Sequence, residues 1–460
     1  MYSLSIFGTS SDAGKSTLAF AITYLLHKRG IKVAPFKAQN VSNNSVVCDS
    51  GGEIAQPQAF AAESIGLKTT PLFNPVLLKS GNKNSASMIL GGVEQGQKDV
   101  RQYYRDINQL KPIVESAFLA LKSEYDCIVA EGAGSPVELN LMDKDLSNIY
   151  IATRFNTKII LVADIERGGV FASIYGVYNL LPPDLQKNVI GVIVNKFRGD
   201  MTLFDEGVKI IEEQFNIPVL GVVGYRALNM GFEDSASLYN YVQHKPHAKI
   251  RVAVIAFAHI SNFTDFEPLV LDPEVHVSFV SNAHTLSEFD IIILPGSKRV
   301  VSDYRWMHES GFCEVLQNYT GVLVGICGGY EMMHTRILDP EVLESDEVCV
   351  EGLGLIEGDV TFDSHKVISK GEYDVFGLRL KGYEIHYAKS GRIGVEQENL
   401  FGTFLHGVFD NDTFRLKLFS SIEADYQGYS FDKKKEQEIS DFASYIESKV
   451  DIESLITALG

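Results

Sequence analysis

Long apolar runs are missing from these 460 residues. The longest are strand length, well short of the ~20 residues that a membrane-spanning helix needs. Positive charge is also scarce: 41 Lys and Arg against 59 Asp and Glu leave a net −18. That deficit argues against nucleic acid or an anionic membrane surface as a partner. Cysteine is sparse, and its five positions follow neither a metal-site nor a disulfide spacing, so a reducing cytoplasm is expected. Residues 1–7 lack a basic n-region, and no secretory signal is expected. Internal repeats and low-complexity segments are absent too. What remains is a cytoplasmic chain with enough length for two or three cores.

The apolar runs that do occur alternate with helical patterns. Strand-like segments fall at 3–7, 31–36, 125–130, 158–163, 189–194 and 218–223. A second series, at 251–257, 276–280, 290–294 and 322–324, follows a polar, proline-broken stretch at 243–249. Such alternation predicts an α/β fold with mainly parallel sheets and helices on both faces. We place one domain at 1–243 and a second at 250–411, with a charged helical extension over 412–460. The run Lys433-Lys434-Lys435 reads as a solvated turn or helix end.

The first strand runs into Gly8-Thr9-Ser10-Ser11-Asp12-Ala13-Gly14-Lys15-Ser16-Thr17. A helix follows with Leu18, Ile22, Leu25 and Leu26 on one face, stopping at Gly30. Strand, glycine-rich loop ending Gly-Lys-Ser, then helix is the setting of a phosphate-binding loop. Thr9 stands where the simplest pattern has its first glycine, with Gly8 one place earlier. Loop amides and the helix N-terminus hold phosphate oxygens, Lys15 neutralises the transferring group, and the Ser16 hydroxyl ligates Mg²⁺. Expected ATP contacts are therefore Thr9, Asp12, Gly14, Lys15, Ser16 and Thr17. Glu131, at the end of the 125–130 strand, is placed to hold Mg²⁺ with Ser16, and Asp49 is a third candidate ligand. Lys37, Asn40 and Asn44 form a polar cluster after the second strand, where open α/β sheets bind ligands.

Further on, Val322-Leu323-Val324 leads into Gly325-Ile326-Cys327-Gly328-Gly329-Tyr330. Small residues around a sharp strand-to-helix turn suit a nucleophile that must stay exposed. A helix N-terminus there favours thiolate over thiol. A lone cysteine is more often a packed core thiol, but the glycine bracket points the other way. The base that such a thiol needs is sought in His406, which ends another short apolar run. The amides of Gly296 and Gly328 are candidates for an oxyanion hole.

Cys327, His406 and the Pro295-Gly296 turn together resemble the glutaminase domain of class I glutamine amidotransferases. His406 is followed by Gly407 and Val408 rather than Pro and Glu, which leaves the third member of a triad open. Gly382-Tyr383-Glu384-Ile385-His386 is similar to the cobalamin branch, where that Glu is generally lacking. Lys37-Ala38-Gln39-Asn40 through Asn44-Ser45, Gly51-Gly52-Glu53-Ile54 and Asn74 to Lys79 resemble the cobyric acid synthase family, whose N-terminal domain is similar to dethiobiotin synthetase. The segments 164–173 and 195–200 fit the same family.

This resemblance covers nearly the whole chain. It implies a glutamine-hydrolysing ligase that uses ATP, Mg²⁺ and L-glutamine, with no tightly bound prosthetic group. The implied acceptor is the corrinoid adenosylcobyrinic acid a,c-diamide, amidated at its b, d, e and g carboxylates to adenosylcobyric acid. Asn195 is similarly placed to an adenine-contacting Asn of related synthetases. An acidic substrate on an acidic protein needs local cations, and Lys79, Lys83, Arg167 and Arg198 are the candidates near strand ends. No nucleic acid or membrane partner is implied, and a homo-oligomer is left open. The nearest alternative is cobyrinic acid a,c-diamide synthase. CTP synthase has a similar plan but carries His-Pro-Glu, and a partitioning-type P-loop ATPase would have no use for the elbow cysteine.

Overall fold

A computed structural model describes residues 2–80, 85–226, 228, 230 and 245–460. The chain packs as two units. One comprises Met1–Ser42, Cys48–Leu228 and Glu436–Gly460, the other Asn43–Val47 and Asn229–Lys435.

In the first unit six strands form one parallel sheet: β1 (Tyr2–Gly8), β2 (Val33–Phe36), β3 (Cys127–Glu131), β4 (Lys158–Asp164), β5 (Val189–Phe197) and β6 (Val219–Gly224). Their order is β6-β5-β4-β1-β3-β2. The strands are rich in Val, Ile and Leu because both faces are covered, which erases the usual in–out alternation. The chain order reverses around β1, so the crevice at its carboxyl end is the natural ligand site. Helix α1 (Lys15–Lys28) begins there. Lys37 onward was expected as a polar loop; Gln39–Val41 instead pairs with Val76–Ser80 in a small separate sheet. Helix α2 (Gln56–Ser64) lies between them in the chain. Lys83 lies outside the described residues.

The second unit contains β7 (Ile250–Ile255), β8 (Val275–Val280), β9 (Ile291–Leu294), β10 (Val322–Ile326), β11 (Ile356–Val375), β12 (Leu378–Lys389), β13 (Gly394–Gln397) and β14 (Leu400–Thr403). Six of them form a sheet ordered β8-β7-β9-β10-β14-β13, parallel except for the antiparallel β13–β14 pair. Helix α3 (Val300–Glu309) follows β9, and the short α4 (Gly328–Met333) follows β10. The β11–β12 antiparallel hairpin is not among the strands that the apolar runs predict. Its strands carry charges at close intervals and no long apolar run, because much of the ribbon faces solvent.

Residues 412–460 are helical, as α5 (Asp412–Ser420), α6 (Phe431–Glu447) and α7 (Ile452–Leu459). They are not a single extension. Helix α5 belongs to the second unit, while Glu436–Gly460 belongs to the first. There Val450 bridges to Gly221, and Arg29 pairs with Glu447 at 2.8 Å and Glu453 at 2.9 Å. The Lys433–Lys435 run lies at the N-terminal end of α6, the helix end of the two expected settings. No described helix is long and apolar enough to cross a membrane.

Phe414 of α5 is fully buried and meets the rings of Phe376, Phe401 and Phe409. Emptying that position leaves a cavity that the surrounding rings cannot fill. Phe414→Ala is expected to lower the stability of the second unit by about 3–5 kcal/mol, read as a lower denaturant midpoint.

Candidate active sites

Gly8 explains the displaced first glycine of the phosphate loop. A Cβ there would lie 2.7 Å from Lys15 Nζ, so the lysine can fold back over the end of β1 only above a glycine. Lys15 is buried, and its ammonium donates to Ser10 O at 3.1 Å. Gly14 precedes α1 without a side-chain cap, and the first turn carries no acid. The positive end of the helix is thus left for a phosphate. Thr9 N donates to Val162 O at 2.9 Å, anchoring the start of the loop, and Thr17 is half-buried in the first turn of α1. Asp12 is exposed, with φ 56°, and pairs with Arg167 at 3.2 Å. Asn195, expected at a base, has its amide turned to the loop: Nδ2 donates to Ala13 O at 2.9 Å.

Glu131 ends β3 and gathers polar groups around itself. Its Oε1 accepts from Ser16 Oγ at 2.6 Å and from Lys37 Nζ at 2.7 Å, and its Oε2 accepts from Gln58 Nε2 at 3.1 Å. Asn40 Nδ2 reaches Gln58 Oε1 at 3.3 Å. A hydroxyl and a carboxylate side by side form a hard oxygen donor set, which suits Mg²⁺. Asp49 is exposed, and its carboxylate accepts from Thr69 N at 2.8 Å and Thr69 Oγ1 at 2.9 Å, stapling its own loop. Among the described residues no group of three or more His, Cys, Asp or Glu converges as a metal cage.

Among the described residues, Lys37, Lys79, Arg167 and Arg198 are all ion-paired. Lys37 is held by Glu131, Lys79 by the buried Glu53, Arg167 by Asp12, and Arg198 by Glu166 at 2.6 Å. Arg198 also lies over the Tyr225 ring at 3.9 Å. The expected uncompensated positive lining is therefore not what these side chains form. Asn44 is buried and belongs to the second unit.

In that unit Cys327 occupies φ 50°, ψ −110°, between β10 and α4. A non-glycine residue held there costs about 1–3 kcal/mol, and such strain persists only when the surroundings over-determine it. They do: a Cβ on Gly329 would fall 2.0 Å from Leu294 O, and Cys327 N donates to Thr403 O at 2.8 Å. The thiol was expected to be exposed; the residue is only 6% exposed.

Thr403 leads to His406, which is wholly buried. A Cβ on Gly296 would lie 3.1 Å from His406 Cε1, and one on Gly328 would lie 2.8 Å from Ser297 N. The two glycine turns and the imidazole thus converge. Tyr383 stacks on the His406 ring at 5.2 Å and exchanges two backbone hydrogen bonds with it. Burial holds the Tyr383 phenol well above its ordinary range, and the charges of Asp265 and Cys327 add to the effect, which puts Cys327 in the same cluster. Asn262 Nδ2 donates to Tyr383 OH at 2.9 Å and to Ser45 O at 2.6 Å.

The third member left open in the sequence is Asp265. Its Oδ2 lies 2.8 Å from His406 Nδ1, and its Oδ1 accepts from Gly407 N at 2.7 Å. With Nδ1 engaged, Nε2 is left buried and without a hydrogen-bond partner. The ring is thus oriented so that Nε2 is the nitrogen left able to exchange a proton. The one signal in the sequence is an acid set between Phe263 and Phe266, both of which are buried.

Family models match in two blocks. Residues 4–230 match a CobQ/CobB/MinD/ParA nucleotide binding domain, and residues 251–414 a CobB/CobQ-like glutamine amidotransferase domain. A cobyric acid synthase of Acinetobacter baylyi is 52% identical over 462 residues, covering 100% of this chain and 99% of the relative. The chain belongs to the cobyric acid synthase family. Family members of Listeria monocytogenes and Alkaliphilus metalliredigens are 36% and 35% identical, over 97% and 98% of this chain. Within the cobyric acid synthase plan, the phosphate loop and Glu131 fall in the nucleotide block, and Cys327, His406 and Asp265 in the amidotransferase block.

Two outcomes follow from this geometry. Asp265→Asn keeps the shape but offers a donor where Nδ1–H needs an acceptor, so glutamine hydrolysis should fall by roughly 10²–10⁴-fold in a glutamate-release assay. Glu331 of α4 is buried, and burial pushes its carboxyl up to about 8, with Glu344 adding repulsion. The folded chain keeps a proton that the unfolded chain gives up, so this contribution is present in acid and lost as pH rises through about 8. Glu331→Gln should therefore gain in melting temperature relative to the parent as pH is raised across that window.

Proposed function

We propose that the chain makes adenosylcobyric acid, transferring nitrogen from glutamine to the b, d, e and g carboxylates of adenosylcobyrinic acid a,c-diamide. The observation that carries this reading is the buried Cys327–His406–Asp265 set on the same chain as a Gly14-Lys15-Ser16 phosphate loop. The full-length likeness to cobyric acid synthases supports the choice of acceptor over cobyrinic acid a,c-diamide. A partitioning ATPase would leave the amidotransferase half unexplained.

In the glutaminase half, His406 Nε2 takes the Cys327 proton as Sγ attacks the side-chain amide carbon. The oxyanion is held by the Gly296 and Gly328 amides. His406 returns the proton to the departing nitrogen, ammonia leaves, and a thioester remains. A water deprotonated by His406 then attacks the thioester, releasing glutamate and restoring the thiol.

In the nucleotide half, a substrate carboxylate oxygen attacks the γ-phosphorus of ATP, and ADP leaves. Ammonia attacks the resulting acyl phosphate, and phosphate is expelled as the amide forms. A carboxylate alone is too poor an electrophile for this step. Lys15 and the loop amides stabilise charge on the transferred group. Ser16 and Glu131, with Asp49 as an outer candidate, would hold Mg²⁺, which when bound neutralises phosphate charge. Lys37 pairs with Glu131 and fixes its orientation. Thr9, Asp12, Gly14, Thr17 and Asn195 shape the ATP loop, and Lys37, Asn40, Asn44, Lys79, Arg167 and Arg198 are the candidate corrinoid contacts.

Cys327→Ser tests the division of labour. It should abolish glutamine-supported amidation of the corrinoid, followed by product mass, yet retain amidation with ammonium salts at high concentration. Equal loss of both would overturn the scheme.

A further inference from the structure

Beside the Cys–His–Asp set, a second buried carboxylate has one oxygen on the Gly296 turn and the other on the 259–261 segment. Asp303 of α3 is 1% exposed. Its Oδ2 accepts from Ser297 Oγ at 2.6 Å, and its Oδ1 lies 2.8 Å from His259 Nδ1. Ser297 Oγ in turn accepts from Arg299 N at 2.9 Å. On the other flank, Lys298 N donates to His259 O at 2.9 Å and Ser261 N to Gly296 O at 2.9 Å, with an antiparallel bridge between Ile260 and Ser297. The turn is thus clamped by the 259–261 segment and by α3, and Asp303 joins the two clamps. Ser297 itself packs against Gly328.

We propose that Asp303 is a positioning residue for the oxyanion turn. By holding Ser297 and His259 it fixes the Gly296 amide relative to Gly328, and so acts on thioester formation rather than on the nucleophile. This rests on the glutaminase reading of Cys327. A donor that stabilises developing charge works because it is in place before the charge appears. Misplacement of such a group by ~1 Å costs on the order of 10²-fold in rate. Nothing smaller than a carboxylate serves here. An amide at 303 would keep one acceptor and turn a donor toward either Ser297 Oγ–H or His259 Nδ1–H.

Two readouts on full-length protein separate positioning from general damage. One is the kcat and KM of glutamine hydrolysis. The other is the rate at which iodoacetamide alkylates Cys327, followed on its peptide by mass spectrometry. Alkylation forms an S–C bond as iodide leaves and passes through no oxyanion. Asp303→Asn should lower kcat about 10- to 100-fold, with KM within about twofold and alkylation unchanged. Ser297→Ala should show a smaller loss with the same signature, and it decides the matter if Asp303→Asn does not fold. Unchanged kcat in both variants, or a parallel fall of kcat and alkylation, would overturn the proposal. Glutamine hydrolysis surviving in Cys327→Ser would instead overturn the reading beneath it.

Discussion

Asp265 accepts twice, from the His406 ring and from the Gly407 amide, and the orientation of the buried imidazole depends on that pair of hydrogen bonds. Hydrogen bonds to a charged group contribute roughly 1.5–3 kcal/mol each, against several kcal/mol for taking a carboxylate out of water. An acid this deep persists only with both donors in place. Their effect is directional: one ring nitrogen is fixed as donor and the other becomes an acceptor in a pocket closed by Tyr383 and Gly296. The strained Cys327 is the counterpart on the facing strand end. Neither the imidazole nor the thiol has room to settle into a more relaxed arrangement, because glycine-to-backbone approaches around them are already at contact.

The first unit uses charge differently. Its Glu131 is balanced by Lys37, and among the described residues Lys79, Arg167 and Arg198 are each matched by an acid. On a chain of net −18 this arrangement keeps local fields small until a ligand enters. What the unit presents is a set of preformed pairs rather than bare positive charge. Buried pairs such as Lys37–Glu131 contribute little net stability, but they hold both side chains where they are needed.

Much of this was legible in the sequence. Parallel strands buried on both faces leave continuous apolar runs, and glycines forced by close approach mark the phosphate loop and the Cys327 elbow. The roles of Asp265, Tyr383 and Gln58 were not legible, because each acts through a partner far away in the chain. Asp265 and His406 are 141 residues apart. The β11–β12 ribbon escaped for another reason: a solvent-facing hairpin has no uninterrupted apolar stretch to find. Asn195 turns its amide to the Ala13 carbonyl and Asp49 its carboxylate to Thr69, because side-chain direction is set by packing, which spacing alone does not encode.

The return of Glu436–Gly460 to the nucleotide-binding unit has a consequence for biogenesis. Residues 436–460 are translated after the rest of both units, so the nucleotide-binding unit cannot be completed from its earlier segments alone. The amidotransferase unit also borrows Asn43–Val47 from the early chain, but by then that segment has long been available. The nucleotide-binding unit therefore completes its packing only once residues 436–460 have been made and released, whereas the amidotransferase unit draws on nothing coded after Lys435.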